Sequence, residues 1–263
     1  MNGTLPANMG QRSDLDPDYC RHYRELCEKH WWWRVREEIL LEELHRLFPD
    51  SRPLAILDVG CGDGLFFERL RQFGNVEGIE SETALVDPRG LTRNWTTVAA
   101  FDASFKPGKQ YDLILMLDVL EHFDSPEQAL RHAVSLLGDG GKIVITVPAF
   151  RLLWTNHDRL NEHRTRFMKS TFCLLAARAG MEIVEMRYFF IWLFAAKLAA
   201  RMAESILPRE PRIPSPTING FLYQVSRAEE TLTRRLRAPF GCSLLAIGGR
   251  ASLEKSLNCA VTT

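Results

Sequence analysis

The stretch Ala55-Ile56-Leu57-Asp58-Val59-Gly60-Cys61-Gly62-Asp63-Gly64 constrains the fold more than any other part of this chain of 263 residues. An apolar run leads directly into glycines at alternating positions, the pattern of a buried strand joined to a helix through a glycine hinge. With no Cβ at these positions, the main chain can take dihedrals closed to other residues and come close to a bound molecule. The following helix, expected over residues 64–73, points its N-terminal amides at whatever sits there.

Downstream, short apolar runs alternate with helical or turn signals, which predicts an α/β fold with a largely parallel sheet. Residues 75–80 read as a second strand ending in Glu80, about 20 residues beyond Gly60, where an acid accepts from ribose hydroxyls in a Rossmann-type arrangement. Residues 96–100 read as a third strand, followed by Phe101-Asp102-Ala103. Tyr111–Leu117 is a near-continuous apolar run suited to a parallel strand covered on both faces. It ends in Asp118-Val119-Leu120-Glu121-His122-Phe123, polar groups at the edge of the sheet where ligands bind. Ser125-Pro126-Glu127 supplies a cap, a first-turn proline and an acid for a helix to about Leu137. Gly138–Gly141 then reads as a turn into a fifth strand, Lys142–Val147, closed by Pro148.

Glycine spacing separates two cofactor classes. A dinucleotide fingerprint places its third glycine at residue 65, which is leucine; the glycine is Gly64. Gly60, Gly62 and Gly64 instead resemble the Gly-x-Gly-x-Gly of class I S-adenosylmethionine-dependent methyltransferases. Leu-Asp-Val-Leu-Glu-His at residues 117–122 and Leu-Leu-Gly-Asp-Gly-Gly-Lys at residues 136–142 are similar to the subgroup acting on small molecules. Trp154–Arg166 and Pro239–Leu245 are similar to bacterial members of the family. The resemblance implies a Rossmann-like seven-stranded sheet and S-adenosylmethionine as donor, with S-adenosylhomocysteine as product. On that reading Asp58 faces the donor's cationic groups, Gly60, Gly62 and Gly64 line it, Glu80 holds the ribose, Asp102 accepts from the adenine amine beside Ala103, and Asp118 completes the cofactor set. The implied activity is methylation of a small-molecule or lipid-like acceptor, on oxygen ahead of nitrogen or carbon. A nicotinamide-dependent oxidoreductase and a non-catalytic protein that binds the cofactor on this scaffold are the alternatives.

Residues 19–48 read as helical, with Ile39, Leu40, Leu44 and Leu47 in an apolar stripe. Three consecutive indoles, Trp31, Trp32 and Trp33, cannot all face one core, because successive helical residues are rotated by about 100°. This segment is expected to form an N-terminal helical lid, residues 1–50, over a methyltransferase domain of residues 51–263. In the resembling subgroup it lies over the cofactor, which implies that Arg34 or Arg36 pairs with the methionyl carboxylate. A hydroxyl acceptor needs a general base; His122 is the first candidate, His157 and His163 follow, and Asp158 can orient an imidazole. Asp118, Glu121 and His122 offer a mixed oxygen and nitrogen set for a divalent ion, an arrangement similar to the metal site of ubiquinone-pathway O-methyltransferases.

Equal counts of 33 basic and 33 acidic residues give no electrostatic footprint for nucleic acid. Six cysteines without CxxC pairs suggest reduced thiols and a cytoplasmic address, as does a polar start with no apolar leader. The apolar run Tyr188–Ala200 is 13 residues long and contains Lys197, too short for a span of about 20. It reads as a strand end entering a core helix, or as an apolar wall for a lipophilic acceptor. A third reading is a peripheral membrane contact, with Arg187, Lys197 and Arg201 beside it. A helical insertion is expected over about 186–238, between the last two strands, with a linker at 207–216 and a helix at 220–236. Nothing in the pattern specifies an oligomeric state.

Overall fold

The computed structural model describes residues 24–49, 52–204, 213–234 and 238–251. Seven strands form one sheet: β1 (Leu54–Val59), β2 (Gly74–Glu80), β3 (Thr96–Val98), β4 (Tyr111–Leu117), β5 (Leu137–Pro148), β6 (Met181–Phe189) and β7 (Ser243–Arg250). Their order is β3-β2-β1-β4-β5-β7-β6. β1 to β5 pair in parallel, and β7 runs antiparallel between β5 and β6. The expected seven-stranded Rossmann-like sheet is the one observed. Because the order reverses beside β1, the loops after β1 and β4 open a crevice at the carboxyl edge.

Alternating side chains of the central strands feed two cores. On one face, α3 (Pro126–Ser135) and α5 (Lys169–Ala179) cover Leu57, Val59, Ile114, Ile143 and Ile145. On the other, α1 (Trp31–Leu47) lays Val35, Ile39, Leu40 and Leu44 on Ile56, Leu113, Val144 and Ile247.

The N-terminal helix is broken where the sequence suggested continuity. Residues 24–29 are helical, His30 is extended, and its Nδ1 caps α1 by accepting from Trp32 N at 3.2 Å. The expected helix at residues 64–73 contracts to α2 (Phe67–Leu70), since Gly64 at φ +66° cannot sit in a right-handed helix. Gly138–Gly141, expected as a turn, instead lies inside β5. There the pairing jumps from Tyr111↔Leu137 to Leu113↔Lys142, so the extra residues form an irregular bulge that absorbs the glycines.

Between β6 and β7 lie α6 (Ile191–Glu204) and α7 (Pro216–Thr233). The inserted segment thus begins after Phe189, because β6 continues through the residues expected to open it. Most of the expected linker at 207–216, the last residues of the helix expected at 220–236, Cys20 and Cys259 lie outside the described residues. Arg187 is buried in ion pairs with Glu230 (2.6 Å) and Glu43 (3.1 Å), which ties β6 to α7 and α1. It is not presented to a membrane surface. Among the described residues no helix is long and apolar enough to cross a membrane.

Candidate active site

The hinge after β1 takes the conformation that three glycines permit. Gly60, Gly62 and Gly64 have φ of +70°, +54° and +66°. A Cβ on Gly60 would meet Val119 Cγ2 at 2.3 Å, so the hinge packs directly on the loop after β4. A Cβ on Gly62 would meet nothing within 4 Å, leaving that backbone open to a ligand. Gly60 N donates to Ile79 O at 2.8 Å, and Gly62 N donates to Glu80 Oε2 at 2.9 Å, so the tip of β2 holds the hinge in place. Glu80 Oε1 accepts from Glu82 N at 2.8 Å.

A cleft of ≈ 980 Å³ opens here, and Trp33, Arg36, Asp58, Gly60, Gly62 and Leu117 are among its walls. Asp58 is 5% exposed, and its carboxyl is pushed up to about 7, chiefly by burial; Arg36 opposes the shift and the Glu80 charge adds to it. Burial likewise raises Glu80. The cleft floor is therefore acidic, and a bound cation would lower its cost in free energy. Arg36 Nε lies 2.7 Å from Asp118 Oδ2, and Asp118 itself adopts φ +55°. Arg34 points elsewhere, with its guanidinium 4.6 Å from the Tyr223 ring, so of the two expected arginines Arg36 lines the cleft, together with Arg24 and Arg93. The tryptophans divide as helical rotation demands: Trp31 is buried against Phe190 and Trp192, Trp32 stacks on Phe190, and Trp33 faces the cleft.

Asp102 and Ala103 do not line this cleft. Asp102 Oδ1 accepts from Ser104 N at 2.8 Å, and this local turn leaves both side chains exposed. Leu85, Val86 and Val98 provide the apolar end of the cleft instead. They sit on loops and a short strand whose pattern carries no chemical signal.

A second constellation forms where the loop after β5 folds over the loop after β4. Arg166 grips Asp158 with Nε and Nη2 at 2.8 and 3.0 Å, and its Nη1 donates to Ala149 O at 2.9 Å. Thr155 N donates to Asp158 Oδ2 at 2.8 Å. Burial opposes ionisation of Asp158, yet hydrogen bonds from His163 and Arg166 outweigh it and hold the carboxyl well below its usual range. His163 Nδ1 lies 2.8 Å from Asp158 Oδ1. An ionised acceptor fixes the proton on Nδ1, so the basic lone pair of the ring is the one on Nε2.

That Nε2 is 4.0 Å from Glu121 Oε1, and the His122 ring stands edge-on to His163 with centroids 4.8 Å apart. Burial, with His163 beside it, pushes His122 down to about 4. Glu121 is fully buried with neither oxygen hydrogen-bonded, and burial followed by the Asp118 charge drives its carboxyl well above the usual range. Ligand atoms of Glu121, His122 and His163 all lie within 4.8 Å of one another. Of the expected set of Asp118, Glu121 and His122, Asp118 pairs with Arg36, and His163 is the third residue beside Glu121 and His122. His157 lies on α4 (Asn156–Leu160), and its side chain is outside the described residues.

Comparison with known proteins identifies the family. The family model described as a methyltransferase domain matches residues 32–186, from α1 into β6. The ubiquinone biosynthesis O-methyltransferase of Cupriavidus pinatubonensis is 25% identical over 216 residues, covering 70% of this chain and 85% of that one. Further bacterial enzymes of the same name align over 61 to 64% of their own length. The solved plantazolicin methyltransferase BpumL, in complex with a triazolic desmethylPZN analog and SAH, matches with TM-score 0.55 and 16% identity over 91% of this chain and 93% of its own. A TehB-like SAM-dependent methyltransferase from Corynebacterium glutamicum matches with TM-score 0.51 and 18% identity, covering 89% of this chain and all of its own. With a family model spanning more than half of its length, the chain belongs to the methyltransferase domain family and is an S-adenosylmethionine-dependent enzyme of the Rossmann-like class.

Proposed function

We propose that the enzyme methylates a hydroxyl oxygen on a small, lipid-like acceptor. The observation that carries this reading is the Arg166–Asp158–His163 arrangement beside the cleft. A sulfonium donor needs little covalent help, so the protein's task is alignment, exclusion of water and removal of the acceptor proton. An oriented imidazole is superfluous for a neutral amine and useful for a hydroxyl. In the proposed step the acceptor oxygen attacks the methyl carbon, the carbon–sulfur bond breaks, and its electron pair stays on sulfur. The proton passes to His163 Nε2, and Asp158 stabilises the imidazolium.

For the donor, the open backbone at Gly62 receives the ligand and Glu80 turns its remaining lone pairs to the ribose hydroxyls. Asp58 faces the donor's ammonium and sulfonium, and Arg36 reaches across for the methionyl carboxylate. Support for a lipid-like acceptor comes from the aromatic cluster of Phe150, Tyr188, Phe194 and Phe240, with neighbouring ring centroids 4.9 to 5.4 Å apart. The related enzymes named for ubiquinone biosynthesis are consistent with such a substrate.

The unpartnered oxygens of Glu121 favour a second reading of the same cluster. Glu121, His122 and His163 would hold a divalent ion, which when bound would acidify a coordinated hydroxyl. Labelled donor incubated with hydroxylated and amine acceptors tests the proposal. Transfer to oxygen should fall about 100-fold or more in His163→Gln. Transfer to amines alone would overturn the proposal, and metal analysis of the purified protein decides between base and ion.

A further inference from the structure

Above the strand ends of β5 and β7, α6 turns one face toward the site. Phe194, Lys197 and Arg201 are spaced three and four residues apart and so share that face. Phe194 contacts the rings of Phe150 and Phe240, and Arg201 donates to Leu152 O, so this face lies on the loop that follows β5. Phe150 there holds φ +56°, a conformation that non-glycine residues adopt at a cost and that collects at functional sites.

Lys197 sits in the middle of this face and is half-buried. Among the described residues, no acceptor for its ammonium lies within hydrogen-bond or ion-pair distance. The groups whose charges act on it are Cys242, Arg166, Asp158 and Asp118, so it lies within electrostatic reach of the candidate site. Those acids are already engaged: Arg166 and His163 hold Asp158, and Arg36 holds Asp118. Burial lowers the Lys197 ammonium from its ordinary range. A half-buried cation that no carboxylate contacts gains most from an anion brought by a ligand.

We infer that Lys197 binds an anionic group, a carboxylate or a phosphate, carried by the acceptor next to its apolar body. The aromatic rings around Phe194 receive the apolar part and the ammonium receives the charge, which sets the hydroxyl facing His163. The inference rests on the O-methyltransferase reading for the orientation of the acceptor, but the charge preference can be measured separately.

The probes are 3,4-dihydroxybenzoate and 4-methylcatechol, which share the vicinal hydroxyls and differ in the anion. Calorimetry on the whole protein saturated with S-adenosylhomocysteine should show the acid binding about tenfold tighter or more. Lys197→Met should collapse that difference and Lys197→Arg should retain most of it, with thermal melts confirming that both variants fold. Equal binding of the two probes, no binding of the acid at millimolar concentration, or a preference that survives Lys197→Met would each overturn the inference. A phosphate ester of the same catechol, run in parallel, separates carboxylate from phosphate as the preferred anion. Methyl transfer to either probe is scored independently, so a failed charge preference leaves the reaction class standing and a failed transfer leaves the charge preference measurable.

Discussion

At the scale of single residues, Gly60 and Gly62 separate folding from binding. Both have positive φ, so alanine at either position carries strain of about 1 to 3 kcal/mol. Only Gly60→Ala also drives a methyl into Val119. Gly60→Ala should therefore lower the melting temperature clearly more than Gly62→Ala, whereas Gly62→Ala should keep the fold and lose donor affinity, because its methyl occupies the open side of the hinge. Comparable donor affinity in Gly62→Ala and the parent, measured by calorimetry, would move the donor away from this backbone. Asp58 gives a pH dependence of definite sign. Its pKa is about 7 in the folded chain against an ordinary 3.8. The folded state therefore binds more protons between those values, and the stability contributed by Asp58 is complete below about pH 4 and lost as pH rises through 7. Without donor, Asp58→Asn should equal the parent near pH 4 and exceed it by a few kcal/mol at pH 8 in denaturant titrations. Parallel stability curves would show that burial does not govern this carboxyl. Asp58, Glu80 and the glycines were legible in the sequence because strand ends and hinges are local features. Asp102 stands outside the cleft walls because a neighbouring amide decides which way a strand-end acid turns, and the three readings left open for the segment holding Lys197 could not be separated because only the packing of α6 reveals its surroundings.

Elements were legible where periodicity was strong and blurred where glycine or polar residues broke it. β4 matches its expected bounds, as an uninterrupted apolar run should. The glycines before Lys142 signalled a turn, and the sheet absorbed them as an irregularity in β5 because β4 and β7 flank that strand on both sides. The junction of α1, β6 and α7 was invisible in sequence, since Glu43, Arg187 and Glu230 lie far apart along the chain. It makes a strong prediction nonetheless. Arg187→Met leaves two carboxylates buried at 0% and 4% exposure, which should cost about 3 to 5 kcal/mol in urea unfolding. Adding Glu230→Leu should recover part of that loss by removing one uncompensated charge. A single substitution costing less than about 1 kcal/mol would mean that Arg46 and Arg234, which also pair with Glu43, carry the junction.

At the scale of the whole molecule, the helical segment before β1 has two roles that the sequence suggested should be separable. Trp33 and Arg36 face the cleft, as a lid would. The opposite side of the same helix places Trp31, Val35, Ile39, Leu40 and Leu44, none more than 5% exposed, against the central sheet. Each such side chain contributes about 1.5 to 3 kcal/mol on burial. Together they supply roughly 10 kcal/mol, the same order as the net stability of an entire domain. Removing residues 1–50 should therefore uncover one face of the sheet and abolish cooperative unfolding, and S-adenosylhomocysteine should not restore it. A truncated chain that melts cooperatively within a few degrees of the full one would make α1 a detachable cover. If α1 is instead part of the core, closure over the donor does not come from a swing of α1 as a whole, and the helical residues 24–29, set off from it by the extended His30, are the described segment that can move separately.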